Sequence, residues 1–242
     1  MIKYHGTPLT PQKIFIQALK DRNVLVSFAN PQDLEIAIKY CNKIMLDNGA
    51  FSFWTKNKEI NWNKYYSWVS KNYEKIDYYI IPDVIDGTEK ENDNLINEFF
   101  MKVRFGYGFH HLYSKAIPVW HIDESLERLS KLMQCFKYIA FGSSGKYSRL
   151  GTENWHNRMN DAMKIVCDEN GKPKVKIHML RCLNPKIFTQ YPFYSGDSTN
   201  LARNHHIRGH VNILNGIEKY SSPKTYKFKI FYKTKNLFKD SA

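Results

Sequence analysis

Five short apolar runs in this chain end abruptly in residues that can do chemistry. Lys43-Ile44-Met45-Leu46 stops at Asp47-Asn48-Gly49-Ala50-Phe51, Tyr78-Tyr79-Ile80-Ile81 at Pro82-Asp83, and Ile117-Pro118-Val119-Trp120 at His121. Tyr138-Ile139-Ala140-Phe141 stops at Gly142-Ser143-Ser144-Gly145, and Phe193-Tyr194-Ser195-Gly196 at Asp197, followed by Ser198-Thr199-Asn200. Carboxylates in such places can serve as nucleophiles, as general acids and bases, or as acceptors for a ligand's N–H groups. A Gly/Ser loop adds backbone amides that a ligand can approach closely. One strand-terminal Asp says little, because Asp commonly caps the next helix or closes a turn. Recurrence at the same end of successive strands points to one shared site, as in α/β barrels, which present catalytic groups at the carboxyl ends of their strands.

The elements that must carry those groups alternate along the chain. At 242 residues the length is close to the ~250 typical of one such barrel. Strands are predicted within 24–28, 43–47, 76–81, 117–121, 138–141 and 175–180, with a seventh running into Asp197. Helical spacing is predicted over 11–20, 31–40, 61–73, 89–103, 152–168 and 184–190, and Asp123-Glu124-Ser125 opens another helix, with Glu124 read as a helix-start acid. Trp62, Tyr65, Tyr66 and Val69 form a helical stripe that reads as core rather than as a base-stacking surface. The predicted class is α/β, a TIM-like (β/α)8 barrel that is incomplete or irregular in one strand, because the eighth strand must be weak, terminal or absent. Met1 to Gln12 reads as a loop leading into the first helix. Arg104 to Lys115, with Gly106, Gly108, His110 and His111, reads as a mobile or substrate-facing loop. Residues 1–242 form a single domain, with 209–242 a basic C-terminal extension in which 225–233 alternates basic and apolar residues like a strand or amphipathic edge.

Composition narrows the partners. The 36 Lys and Arg against 23 Asp and Glu give a net charge of +13, which suits a polyanion such as nucleic acid, although a Lys-rich soluble surface gives the same number. Arg149, Arg203, Arg208 and Lys146 fall near the strand ends and are candidates for phosphate contacts. Cys41, Cys135, Cys167 and Cys182 are scattered without a C-x-x-C pair, so neither a zinc knuckle nor a disulfide framework is indicated. No signal-peptide pattern and no apolar run near ~18 residues is found, which predicts a cytoplasmic protein with no membrane partner. The Gly142–Gly145 loop lacks the G-x-x-x-x-G-K-[ST] spacing of a triphosphate site.

The order of these motifs carries a family resemblance over about residues 24 to 204. Leu46-Asp47-Asn48-Gly49-Ala50-Phe51 resembles the D-S-G-G-F motif of the tRNA-guanine transglycosylase superfamily, Gly142-Ser143-Ser144-Gly145 sits where that family has its Gly-Gly-Leu loop, and Asp197 sits where its nucleophilic Asp lies. The short phage and bacterial DNA-guanine transglycosylases, which place 7-deazaguanines in DNA, look closest. The resemblance implies a pentosyltransferase in which Asp197 attacks C1′ and Asp47 is the general acid/base. It further implies that Asp83 accepts from the guanine N1 and N2 donors, and that Gly142, Ser143 and Ser144 meet the base O6. Phe51 and Met179 would sandwich the purine, although Met179 taken alone reads first as core packing. Where the tRNA enzymes have a Gln, this chain has Trp120-His121, so His121 is carried over as a polar base contact.

The departures bear on the polymer. The bacterial tRNA enzymes have a C-x-C-x-x-C…H zinc site, and Cys182 with His178 supplies at most two of the four ligands a structural zinc needs. This favours DNA over tRNA, with a 7-deazaguanine base as second substrate, no metal and no cofactor, and leaves a homodimer open. The expected location is the cytoplasm, that of the host for a phage-borne member. The alternatives are a tRNA-guanine transglycosylase, a non-catalytic nucleic-acid-binding subunit on the same fold, and a hydrolytic glycosylase in which water attacks C1′. Three retained carboxylates argue against an inert subunit.

Overall fold

The computed structural model describes residues 1–106 and 108–228. Nine parallel strands follow the chain as β1 (Ile2–Gly6), β2 (Asn23–Ser27), β3 (Ile44–Asp47), β4 (Tyr78–Ile80), β5 (Ala116–Ile117), β6 (Val119–His121), β7 (Tyr138–Gly142), β8 (Lys176–Met179) and β9 (Ser195–Ser198). Between and after them run α1 (Gln12–Leu19), α2 (Asp33–Tyr40), α3 (Ala50–Trp54), α4 (Trp62–Asn72), α5 (Glu89–Phe105), α6 (Leu126–Cys135), α7 (Glu153–Val166), α8 (Pro185–Phe188), α9 (Asn200–Arg208) and α10 (His210–Glu218).

The ladder order is β5-β4-β3-β2-β1-β9-β8-β7-β6, and its two ends, β5 and β6, are consecutive pieces of one run interrupted at Pro118. Proline has no N–H to give to a ladder. No ladder joins β5 to β6, which leaves one unsealed seam in a nearly closed barrel. Pairing is intact on both flanks: Tyr79 and Ile80 register with Ala116 and Ile117, while Val119–His121 register with Ala140–Gly142. The carbonyl of Pro118 accepts from Ala140 N at 2.9 Å. The fold is therefore a TIM-like α/β barrel, irregular in one strand as the sequence predicts.

The missing eighth stave is β1, which pairs with β2 on one side and β9 on the other. Reading residues 1–12 as a loop is corrected here. Tyr4 faces the barrel interior with Leu25, Met45, Ile80 and Ile117, while Lys3 and His5 face the helical layer and reach Glu218 of α10 at 3.3 and 3.2 Å. That alternation lacks the continuous apolar run by which buried parallel strands are recognised.

Side chains set the helix starts. Asn61, Ser125 and Thr152 accept from the backbone N–H three residues on, and Thr88 forms a capping box with Glu91; each such cap contributes about 1 kcal/mol. Tyr65, Tyr66 and Val69 of α4 are buried, as their spacing predicts.

Residues 110–115 form a short 3-10 helix that leads into the start of β5, at the pole opposite the acids, rather than a loop beside them. Thr225–Phe228 is not a strand: Tyr226 N donates to Gly171 O at 2.7 Å, and its ring stacks on Tyr191 at 5.9 Å. Positions 229–233 of that expectation lie outside the described residues. No helix among the described residues is long and apolar enough to cross a membrane.

Candidate active site

The carboxyl end of β3 turns sharply into α3 through Gly49, whose φ of 79° is one that L side chains rarely adopt. The turn aims Asp47 and Asn48 at one cavity. Asp47 Oδ2 accepts from Gly49 N at 3.0 Å. Asn48 ties β3 to the end of β4, donating from Nδ2 to Ile81 O at 2.8 Å and to Asp83 Oδ1 at 2.6 Å, while its Oδ1 accepts from Ala50 N.

The other oxygen of Asp83 lies 2.8 Å from His121 Nε2, at ion-pair distance but at an angle bent away from a hydrogen bond. Burial works against charging this imidazole. The close carboxylate of Asp83, with the charges of Glu124 and Asp123, outweighs it and raises the His121 pKa. His121 Nδ1 is buried without a hydrogen-bond partner among the described residues, and a Cβ on Gly142 would come within 3.3 Å of it. Glu124 is a scaffold: it accepts from His121 N at 2.8 Å, Asn92 at 2.9 Å and Arg128 at 2.6 Å.

Across the cavity, Asp197 at the end of β9 accepts two hydrogen bonds on Oδ1, from Arg181 N at 2.9 Å and from His178 Nε2 at 3.1 Å. Arg181 reaches this position with φ 58°. Its guanidinium donates to Ser143 O at 2.8 Å and lies 4.3 Å from the centre of the Phe51 ring. Burial pulls the Arg181 pKa down against the three nearby acids, but a guanidinium stays charged in proteins.

Two acids of this cavity, Asp47 and Asp197, differ in surroundings. Burial, followed by the charge of Asp197, pushes Asp47 up to about 7; hydrogen bonds from Ser27 and Gly49 oppose this and Asp83 adds to it. Asp47 is thus substantially protonated at neutral pH, whereas Asp197 is placed as an acceptor of two donors.

One cavity of 110 Å³ brings together Asp47, Asp83, Asp197, Phe51, His121, Gly142 and Ser143. Two expected residues do not line it. Ser144 is buried with its hydroxyl donating to Asp123. Met179 is fully buried in the layer between barrel and helices, and Leu180 lines the cavity instead. Strand alternation accounts for this: His178 and Leu180 face inward and Met179 outward. Ser143 presents its backbone, since its hydroxyl accepts from Trp155 Nε1.

Lys146, Arg149 and Arg203 are exposed on segments that follow β7 and β9 at the cavity's pole, and Arg203 is close enough to depress Arg181. Arg208 ends α9, away from the cavity. Sequence reasoning missed Arg181 and gave His178 no role at the acids; the inward parity of β8 was the available signal. Among the described residues no three His, Cys, Asp or Glu side chains group as metal ligands. No family model matches the chain, and no curated protein matches it in sequence.

Proposed function

We propose that the protein is a base-exchange transglycosylase that replaces guanine in DNA with a 7-deazaguanine through a covalent Asp197–sugar intermediate. The observation that carries this reading is the pair of unlike carboxylates in one cavity, Asp47 raised to about 7 and Asp197 held by two donors. A carboxyl raised toward neutrality beside one placed as an acceptor of two donors suits a division into acid and nucleophile.

In the first half-reaction Asp197 Oδ2 attacks C1′ as the C1′–N9 bond breaks. The bonding pair leaves on the base, which takes its proton from Asp47. An anion suits this step, because it stabilises and then captures an oxocarbenium-like centre. In the second half, the incoming base gives its N9 proton to Asp47 and N9 attacks C1′, returning the electron pair to Asp197. Asp83 accepts from the base N1 and N2 donors, and Ser143 and His121 meet its remaining polar edge. His121 Nδ1 supports this role, being buried, unpartnered among the described residues and at the cavity wall.

DNA is favoured as polymer by the net charge of +13 and by the absence from the sequence of a zinc-ligand cluster. Chemistry at C1′ of a stacked base requires extrusion of that base from a duplex. The test is to incubate the protein with labelled guanine, or a labelled 7-deazaguanine, and separately with duplex DNA, single-stranded DNA and unmodified tRNA, for wild type and Asp197→Ala. Label entering DNA only with Asp197 present is the expected result. Label entering tRNA would change the polymer and keep the mechanism, abasic sites without incorporation would make it a hydrolase, and no change of any polymer would leave a binding subunit.

A further inference from the structure

The barrel interior beneath the acids holds a chain of polar groups that the exchange chemistry leaves unused. His178 Nδ1 lies 2.5 Å from Ser195 Oγ, and Ser195 Oγ also meets the Tyr138 hydroxyl. With His178 Nε2 on Asp197 Oδ1, the chain runs from β7 through β9 and β8 to the carboxylate. All four residues are at most 5% exposed.

Counting donors gives the chain a direction. An ionised Asp197 only accepts, so Nε2 must carry a proton. A neutral imidazole then has a lone pair on Nδ1, to which the Ser195 hydroxyl donates, and the Ser195 oxygen accepts from the Tyr138 phenol. Burial raises the Tyr138 pKa well above its ordinary value, so that proton stays in place. The Nδ1–H tautomer would set a lone pair against the carboxylate. An imidazolium would leave a hydroxyl proton of Ser195 or Tyr138 without an acceptor, a cost of about 1–3 kcal/mol in a dry site.

We propose that His178 is a positioning residue for Asp197, locked by Ser195 and Tyr138 as the neutral Nε2–H tautomer so that Oδ1 is held and Oδ2 is delivered to C1′. Arg181 N shares Oδ1, so both of these donors fall on one oxygen of a carboxylate that lines the cavity. A neutral donor orients the carboxylate without cancelling its charge, which a cation in direct contact would do. The proposal rests on Asp197 as the nucleophile and adds how its reacting oxygen is selected.

Two measurements test it. In 15N-labelled protein at pH 7 the His178 ring signals are expected to show the proton on Nε2; a proton on Nδ1, or on both nitrogens, overturns the assignment. Exchange kinetics are then compared for His178→Leu, His178→Gln and Ser195→Ala, using the polymer that accepts label with wild-type protein. His178→Leu is expected to lose roughly 10–100-fold in kcat with KM within about twofold. His178→Gln, whose amide can still donate to Oδ1, recovers part of that loss, which a merely structural role would not produce. Unchanged kcat in a folded His178→Leu, or a loss confined to KM, overturns the proposal; if that variant does not fold, Ser195→Ala carries the same criteria. Wild-type protein that exchanges no base overturns the function and with it this role, an outcome distinct from active wild type with indifferent variants.

Discussion

The two poles of the barrel use charge in opposite ways. At the mouth, Asp47, Asp83 and Asp197 share one cavity with His121 and Arg181 and are largely withdrawn from water. At the base, Lys137, Lys172, Lys174, Lys176 and Lys224 surround a cavity of 590 Å³, and Lys176 Nζ lies over the rings of Tyr194 at 4.5 Å and of Tyr78 and Tyr138 at 5.9 Å. Both poles are densely charged, yet the carboxylates of Asp83 and Asp197 at the mouth are buried while the five lysines at the base are exposed. Desolvation and the neighbouring charge of Asp197 raise the Asp47 carboxyl, whereas exposed lysines contribute charge to a solvated surface. Net charge alone therefore does not locate the site.

Substitutions at the two poles are expected to separate by orders of magnitude. Asp197→Asn should lower base exchange by roughly 10⁴-fold, since an amide neither captures nor stabilises the sugar cation. Asp47→Asn should cost roughly 10²–10⁴-fold, the usual worth of a general acid. The same substitution should also make the protein more stable at pH 8. An unfolded Asp titrates near 4 and Asp47 at about 7, so across that window the native state binds more protons and stability falls as pH rises. Removing the carboxyl removes that loss. Because Asp47 still meets the cavity's solvent, the gain is below the ~4 kcal/mol of a fully dry site, a rise of a few degrees in Tm at pH 8 and little at pH 4. Wild-type exchange should fall as pH rises through about 7, where the acid loses its proton.

Smaller effects sharpen the contrast. Asp83→Asn should lower kcat/KM by about 10–100-fold, measured against guanine, because it takes an acceptor from the base and a partner from His121. Arg203→Ala at the mouth should weaken DNA binding modestly and reduce the slope of log K against log salt by about 1. Lys176→Ala at the base should leave exchange within about twofold and cost about 0.5–1 kcal/mol in denaturant melts. A large loss of exchange from Lys176→Ala would break the distinction between poles.

The strand ends were legible in the sequence because each apolar run is cut by a polar residue whose alternatives are few, and Asp47, Asp83, His121 and Asp197 all reach the cavity. The stave β1 was hidden, since Lys3 and His5 find their polar partner in Glu218, 213 or more positions away, a pairing no local pattern shows. Met179 was misplaced by one residue because a strand flips its side chain at each step, and counting from His178 would have put Leu180 at the cavity. Arg181 was missed for a different reason: its backbone N–H and its guanidinium act at once, on Asp197 and on Ser143, through a positive φ that sequence does not announce at a non-glycine residue.

The most direct test of the account is to trap the reaction. The protein is mixed with a guanine-containing DNA oligonucleotide, denatured in acid, digested and mapped by mass spectrometry. The account predicts a sugar-linked peptide modified at Asp197, absent from Asp197→Asn and accumulating when free base is withheld. A modification on Asp47 instead, or base exchange that persists undiminished in Asp197→Asn, would contradict it.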